Sequence, residues 1–174
     1  FAREHKIPIT ARGGRTSRTG NELGEGIVID FSKYLNQVID FRAEEQWVRV
    51  QPGIVLAELN RYLKPYELYF PIDPSTKDSA TLGGMIANNS SGPHAIKFGT
   101  TRSQVSSLEL VLTSGEIVQT GPKALPAGAG GTCGAPQTLE DRLYRNIPVI
   151  LNNYSKYMEP ERPFTTKNSC GYHV

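Results

Sequence analysis

Cysteine is scarce in these 174 residues: there are two, Cys133 and Cys170. Their spacing fits no metal or redox motif, and two thiols build no disulfide framework, so a reducing compartment is the simpler reading. Long apolar runs are missing too. Nothing approaches the roughly 18 consecutive apolar residues of a membrane-spanning helix. The opening FAREHK carries Arg3, Glu4 and Lys6 and no apolar stretch, so no signal peptide is expected there. An excess of one charge is also lacking. Nineteen Lys plus Arg against 17 Asp plus Glu leave a net +2, too little to argue for nucleic acid. Of the three histidines, His5 and His173 have no neighbours at ligand spacing, and no metal site is expected. What remains, 38% hydrophobic residues with 21% charged, suffices for one domain with a sizeable core or two lobes. A cytoplasmic location is expected, with peripheral contact to a membrane as the variant.

The chain opens at Phe1 inside what reads as the last turn of a helix and stops at GYHV without a terminating signal, so a piece of a larger protein is expected. IPITA (7–11) reads as a strand with Pro8 at its start or on an edge. GIVIDF (26–31) is β-branched and apolar and reads as a buried strand. QVIDF (37–41) and WVRVQ (47–51) read as an antiparallel pair. IVLAELNRYL (54–63) has helical spacing through Ile54, Ala57, Leu59 or Arg61 and Leu63, with Pro65 as its stop. LYF (68–70) reads as a short strand, 71–80 as a polar loop, and TLGGMIANN (81–89) as the opening of a helix. SSGPHAIKFGTT reads as irregular. LELVLT, Ser114-Gly115 and EIVQT make a hairpin signal. Residues 121–136 are rich in glycine and proline and read as a loop or insertion. TLEDRLYRNIPVILNNY (138–154) reads as a helix with Thr138 as N-cap, Asp141 near N3 and a break or kink at Pro148. Short strands, few helices and hairpins rather than strict strand–helix alternation argue for an α+β fold.

Two glycine-bearing stretches carry chemistry. In ITARGGRTSRTG (9–20), successive glycines can leave backbone N–H groups pointing inward as a nest for an anion. Thr16 and Ser17 add hydroxyl donors, and Arg12 could pair with phosphate oxygens or hold the loop. The bland alternative is a hairpin loop with solvated arginines. The stretch does not fit GxxxxGK[ST], and GAGGTCG (128–134) places Cys133 where the dinucleotide motif needs its third glycine. In TLGG, Gly83 and Gly84 sit at a helix start, where a ligand could approach the backbone; a polar loop is the alternative.

Taken together, PITARGGRTSRTG resembles the P-x-x-x-R-G-x-G-T-x-x-x-G loop of the FAD-linked oxidases of the vanillyl-alcohol-oxidase type. VRVQPGIVLAELN, DPSTKDSATLGGMIANNSSGPHAIKFGTT and LELVLTSGEIV resemble the next three segments of that family, in the same order from Ile7 to about Thr120. The subgroup that looks nearest is the D-2-hydroxy-acid dehydrogenases, of D-lactate dehydrogenase and glycolate oxidase type. The tail NSCGY looks like the large versions fused to an iron–sulfur domain.

The resemblance implies a two-lobed α+β FAD-binding domain with the flavin between the lobes. It implies an FAD-binding core over 1–120, a Gly/Pro-rich loop or insertion at 121–136, and a helical segment with a truncated tail at 137–174. Carried over position by position, Arg12, Gly13, Gly14, Arg15, Thr16 and Ser17 would follow the pyrophosphate, and Pro52 and Gly53 would sit near the cofactor. Pro74, Ser75, Thr81, Gly83 and Gly84 would approach the flavin or pyrophosphate, and Asn89 and Gly92 would line the flavin site. His94 and Lys97 lie in the same segment as candidate flavin or substrate contacts, a solvated loop being the alternative.

Arg15 departs from the pattern, standing where the family has its second glycine. Its side chain would either crowd the pyrophosphate or pair with it. Relatives that attach FAD covalently use a histidine in the first loop; none is present here, so FAD is expected to be non-covalent. The resemblance implies that the catalytic residues belong to a substrate-binding cap, expected to lie outside this piece. The expected whole is an FAD-dependent oxidoreductase that passes hydride from the α-carbon of a small 2-hydroxy acid to the flavin. Its electron acceptor would be reached through the missing domains, and the piece alone would be inactive. The alternative is a degenerate module of the same fold that no longer holds FAD well. An anion- or nucleic-acid-binding surface using Arg12, Arg15 and Arg18 is the weakest reading, because acidic residues are dispersed along the chain.

Overall fold

The computed structural model describes residues 1–122 and 138–158. They divide into two compact units, one spanning Phe1–Gln104 and the other beginning at Val105. The Gly/Pro-rich loop expected at 121–136 falls almost wholly outside the described residues, as do Cys133, Cys170 and the NSCGY tail.

In the first unit, β1 (Ile9–Arg12) and β2 (Ile27–Asp30) pair in parallel, with Ile9 opposite Ile27 and Arg12 opposite Asp30. Parallel pairing needs a crossover of about a dozen residues or more, and the glycine loop is that crossover. The hairpin alternative for this loop is therefore wrong: a hairpin would have run the two strands in opposite directions. FAREHK forms a single turn with the bonds of a helix end: the His5 N–H donates to the Phe1 carbonyl at 2.9 Å, the Ile7 N–H to the Ala2 carbonyl at 2.8 Å, and Lys6 takes φ +53°.

The pair β3 (Val38–Arg42) and β4 (Trp47–Val50) is antiparallel as expected, with an irregularity between Val38 and Asp40. Helix α1 (Leu56–Leu63) follows, with Glu58 in its first turn and Arg61 in its last, each favourable to the helix dipole. Its buried stripe is Leu56, Leu59 and Leu63, one face of a 3.6-residue period. Of the positions expected in the stripe, Ile54, Leu59 and Leu63 are buried, Ala57 is half-buried and Arg61, the alternative to Leu59, is exposed. A short 3-10 turn, Lys64–Tyr66, ends at Glu67 in the left-handed region.

Residues 68–70 form no strand. Phe70 donates its N–H to the Asn60 side chain at 2.7 Å instead of to a neighbouring strand. Helix α2 (Leu82–Ala87) starts after Thr81, which caps it. The segment expected to be irregular holds a short helix, α3 (Ala95–Phe98), and a 3-10 turn, Thr101–Gln104. The core joins Ile54, Leu56, Leu59, Leu63, Ile72, Ala80, Leu82 and Met85, with Val38, Phe41, Val48, Val50 and Phe98 packed against it.

In the second unit, β5 (Leu108–Val111) and β6 (Ile117–Thr120) form the expected hairpin. Helix α4 (Leu139–Met158) begins with a reciprocal cap. The Thr138 N–H donates to Asp141 Oδ2 at 3.2 Å, and the Asp141 N–H to Thr138 Oγ1 at 3.1 Å. The helix runs on through Pro148 rather than breaking there. Tyr144 ties it to β6 by accepting the Gly121 N–H at 3.3 Å. Among the described residues no helix is long and apolar enough to cross a membrane.

Candidate functional site

Arg12 ends β1. Its backbone carbonyl accepts the Phe31 N–H at 2.9 Å, and its Nη2 donates to Asp30 Oδ2 at 3.1 Å. The parallel register places these two residues opposite each other, so the ion pair closes the end of the sheet. Asp30 Oδ1 in turn accepts the Ser32 hydroxyl at 2.6 Å and the Ser32 N–H at 3.0 Å. These two bonds, with Arg12 on the other oxygen, hold the Asp30 carboxyl below its ordinary value of 3.8 despite partial desolvation. Of the two roles open to Arg12, holding the loop is the one its contacts fill. Its Nε is buried and has no hydrogen-bond partner.

Gly13 and Gly14 carry the chain past the second glycine stretch. A Cβ at Gly13 would fall on Thr81 Oγ1, and one at Gly14 on the Ser79 carbonyl. The two motifs, almost seventy positions apart, therefore touch, and side chains on either glycine would push them apart. Arg15 then adopts φ +56°, the left-handed region, with its side chain exposed. From Gly13 to Arg18 no backbone N–H donates to any acceptor among the described residues. Thr16 is exposed. The Ser17 hydroxyl is engaged with Thr19, at 3.1 Å from its Oγ1 and 3.3 Å from its N–H.

Pro52 and Gly53 sit under this contact. The Gly53 N–H donates to the Leu35 carbonyl at 2.7 Å, and its α-carbon lies hard against the Phe31 carbonyl. The Pro52 carbonyl accepts the Gly83 N–H at 2.8 Å, and Gly83 lies against the Pro52 ring. Thr81 is buried at the centre. It pairs with Val55 in an isolated antiparallel bridge, and its Oγ1 accepts the Gly84 N–H at 3.4 Å. Leu82 donates to the Ile54 carbonyl at 2.9 Å. The first-turn N–H groups of α2 are thus used inside the fold. Gly83 and Gly84 serve close packing, and the unpaired donors belong to the first loop.

A second group lies along the same connection. The Pro74 carbonyl accepts the Lys77 N–H at 3.0 Å, and Ser75 is exposed. Asn89 has φ +46°, and its Oδ1 accepts the Arg102 N–H at 3.0 Å. Gly92 packs directly on Asp73. His94, weighed as a flavin contact or a solvated residue, is exposed and pairs with Asp73 through Nδ1 at 2.8 Å. Lys97 lies over the Phe98 ring, 4.9 Å from its centre.

The fifteen sequence-derived positions thus fall in two clusters within the first unit: residues 12–17, 52–53 and 81–84, then 74–75, 89 and 92. Sequence reasoning missed Asp30, Ser79 and Asp73. Asp30 was detectable only by aligning the ends of two strands as parallel partners. Asp73 stood in plain view in DPS, but its partner lies 21 positions on.

The loop's chemistry suits a diphosphate. Among the described residues, six consecutive N–H groups without acceptors, a buried Arg12 Nε without a partner and two exposed arginines are donors of the kind an anion takes. Among the described residues no group of three His, Cys, Asp or Glu side chains gathers as a metal site.

The family described as "FAD binding domain" matches residues 1–121. The chain is similar to a D-2-hydroxyglutarate dehydrogenase of Escherichia coli (strain K12), 36% identical over 162 residues, covering 88% of this chain and 16% of that protein. It is also similar to a mitochondrial D-lactate dehydrogenase (cytochrome) of Arabidopsis thaliana, 42% identical over 129 residues, covering 73% of this chain and 22% of that one. The fold resembles 6-hydroxy-D-nicotine oxidase from Arthrobacter nicotinovorans, with a TM-score of 0.61 and 17% identity over 69% of this chain and 26% of that one. The chain therefore spans about a sixth to a quarter of the length of these proteins.

Proposed function

Since this chain belongs to the FAD binding domain family, we propose that it is the cofactor-holding part of a flavin-dependent D-2-hydroxy-acid dehydrogenase or oxidase, with FAD bound non-covalently. The observation that carries the reading is the run of unpaired backbone donors from Gly13 to Arg18, held open by the contact of Gly13 and Gly14 with Thr81 and Ser79. The similarity to D-2-hydroxyglutarate and D-lactate dehydrogenases supports the substrate class, a small 2-hydroxy acid. The bound flavin would supply the hydride acceptor for the substrate α-carbon.

The chain's own part is to bind and orient. Gly13, Gly14, Arg15 and Thr16 offer N–H groups, a hydroxyl and a cation to the diphosphate, and Ser17 shapes the loop through Thr19. Arg12, fixed by Asp30, holds the mouth of the loop and turns its Nε inward. Pro52, Gly53, Thr81, Gly83 and Gly84 form the floor that sets the loop's position. Pro74, Ser75, Asn89 and Gly92 are assigned to the flavin end. The substrate acid and the electron acceptor would be handled by parts of the larger protein.

Arg15 is the observation behind a second reading, a degenerate module of the same fold. Against it, the φ of +56° keeps the loop in the shape a glycine would take, and the residue is exposed. The test is a visible absorption spectrum of the purified protein and a thermal shift on adding FAD. Flavin bands and a midpoint that climbs with FAD concentration are expected. A folded protein showing neither, but gaining both as Arg15→Gly, would establish the degenerate reading instead.

A further inference from the structure

Asp73 and His94 belong to the two stretches assigned above to the flavin end, and they are joined twice. Asp73 Oδ2 lies 2.8 Å from His94 Nδ1, and Asp73 Oδ1 accepts the His94 backbone N–H at 3.3 Å. The carboxylate therefore spends one oxygen on the ring and one on the backbone. Between them Gly92 lies so close to Asp73 that no Cβ would fit. A ring contact adds a second stitch: His94 meets Phe98 edge-on at 6.5 Å, and Phe98 meets Tyr69 edge-on at 6.3 Å. On its far side the turn is anchored separately. The Ser90 carbonyl accepts Thr101 Oγ1 at 2.7 Å and the Thr101 N–H at 2.9 Å, and Asn89 Oδ1 accepts the Arg102 N–H.

The His94 side chain is 66% exposed, so its pairing adds little to folding stability. What it does is fix geometry. Nδ1–H donates to the carboxylate, which fixes the orientation of the ring.

We propose that His94 is a positioning residue for the cofactor: paired with Asp73, it clasps the turn carrying Asn89 and Gly92 onto the loop carrying Pro74 and Ser75. The assignment rests on the functional reading above. The clasp sets the spacing between the two stretches assigned to the flavin end.

The test compares wild type, His94→Ala and His94→Asn in the full-length flavoprotein, prepared without cofactor and titrated with FAD. The Asn amide nitrogen reaches the position of Nδ1, so it restores the bond without the ring. His94→Ala is expected to raise the FAD dissociation constant about tenfold. It should also shift the flavin's visible absorption, loosen amide exchange at residues 88–94, and leave the thermal midpoint of the cofactor-free protein unchanged. His94→Asn should recover most of the affinity. Equal FAD binding and spectra in wild type and His94→Ala overturn the clasp while leaving the function intact. A fall in the cofactor-free midpoint that His94→Asn does not mend also overturns it, reducing His94 to a folding role. A wild type that takes up no FAD overturns the functional reading itself, and the clasp with it.

Discussion

Arg15 occupies a conformation that suits glycine. For a side chain with a Cβ the left-handed region costs about 1–2 kcal/mol, whereas glycine costs the unfolded chain about 0.4–1 kcal/mol in extra freedom. Arg15→Gly should therefore stabilise the protein by up to about 1 kcal/mol, read as a small rise in the thermal midpoint. The same change should weaken FAD binding about tenfold if the guanidinium makes a charge-assisted contact with the diphosphate. Tighter binding after Arg15→Gly would mark the side chain as crowding the loop. Asp30 provides a pH signature. Its carboxyl is held below 3.8 first by the Ser32 hydroxyl, then by the Ser32 N–H and by Arg12. A depressed folded value means the stabilisation is fully present above the unfolded value and is lost as pH falls through the folded one. Ser32→Ala should be less stable than wild type at neutral pH, and the difference should close as pH drops below 3.8 in an acid titration followed by circular dichroism. A gap that stays constant down to the acid transition would remove Asp30 from the account.

Helix α1 shows what local pattern can and cannot tell. Its length and its stop at the 3-10 turn containing Pro65 follow from propensity, but the buried face is Leu56, Leu59 and Leu63. The sequence alone allowed a phase through Arg61, because a short helix with apolar residues on several sides has no unique stripe. Leu59 is 1% exposed in the centre of the core, and Leu59→Ala should cost about 2–5 kcal/mol, measured by urea denaturation. A loss below about 1 kcal/mol would mean that the stripe lies elsewhere. The cap of α4 was legible to the residue, since Thr138 and Asp141 answer each other within one turn. The absence of a strand at 68–70 was not, because aromatic propensity cannot reveal that Asn60 has taken the Phe70 N–H. Nor was the direction of β2 relative to β1, since propensity carries no sign for strand pairing.

Family membership was legible from four segments in register, because their glycines and prolines mark backbone approaches that the fold cannot change. The partition of labour between the two glycine pairs was hidden. Both looked like anion sites, yet the N–H groups of Leu82 and Gly83 are spent on Ile54 and Pro52, and that of Gly84 on Thr81, while those of 13–18 have no acceptor among the described residues. That difference has a direct readout in amide hydrogen exchange. Donors without acceptors exchange close to the rate of an unstructured chain, and a ligand that takes them slows exchange there. In the cofactor-free protein, residues 13–18 should exchange fast and residues 82–85 slowly. Inorganic pyrophosphate should protect 13–18 alone, since it carries the anion without the flavin. FAD should protect 13–18 and also 88–94, the turn proposed to lie at the flavin end. Pyrophosphate protection reaching 88–94 would merge the two clusters into one site. FAD leaving 13–18 fast would mean that the diphosphate is held elsewhere, and that the glycine loop serves only to carry β1 across to its parallel partner.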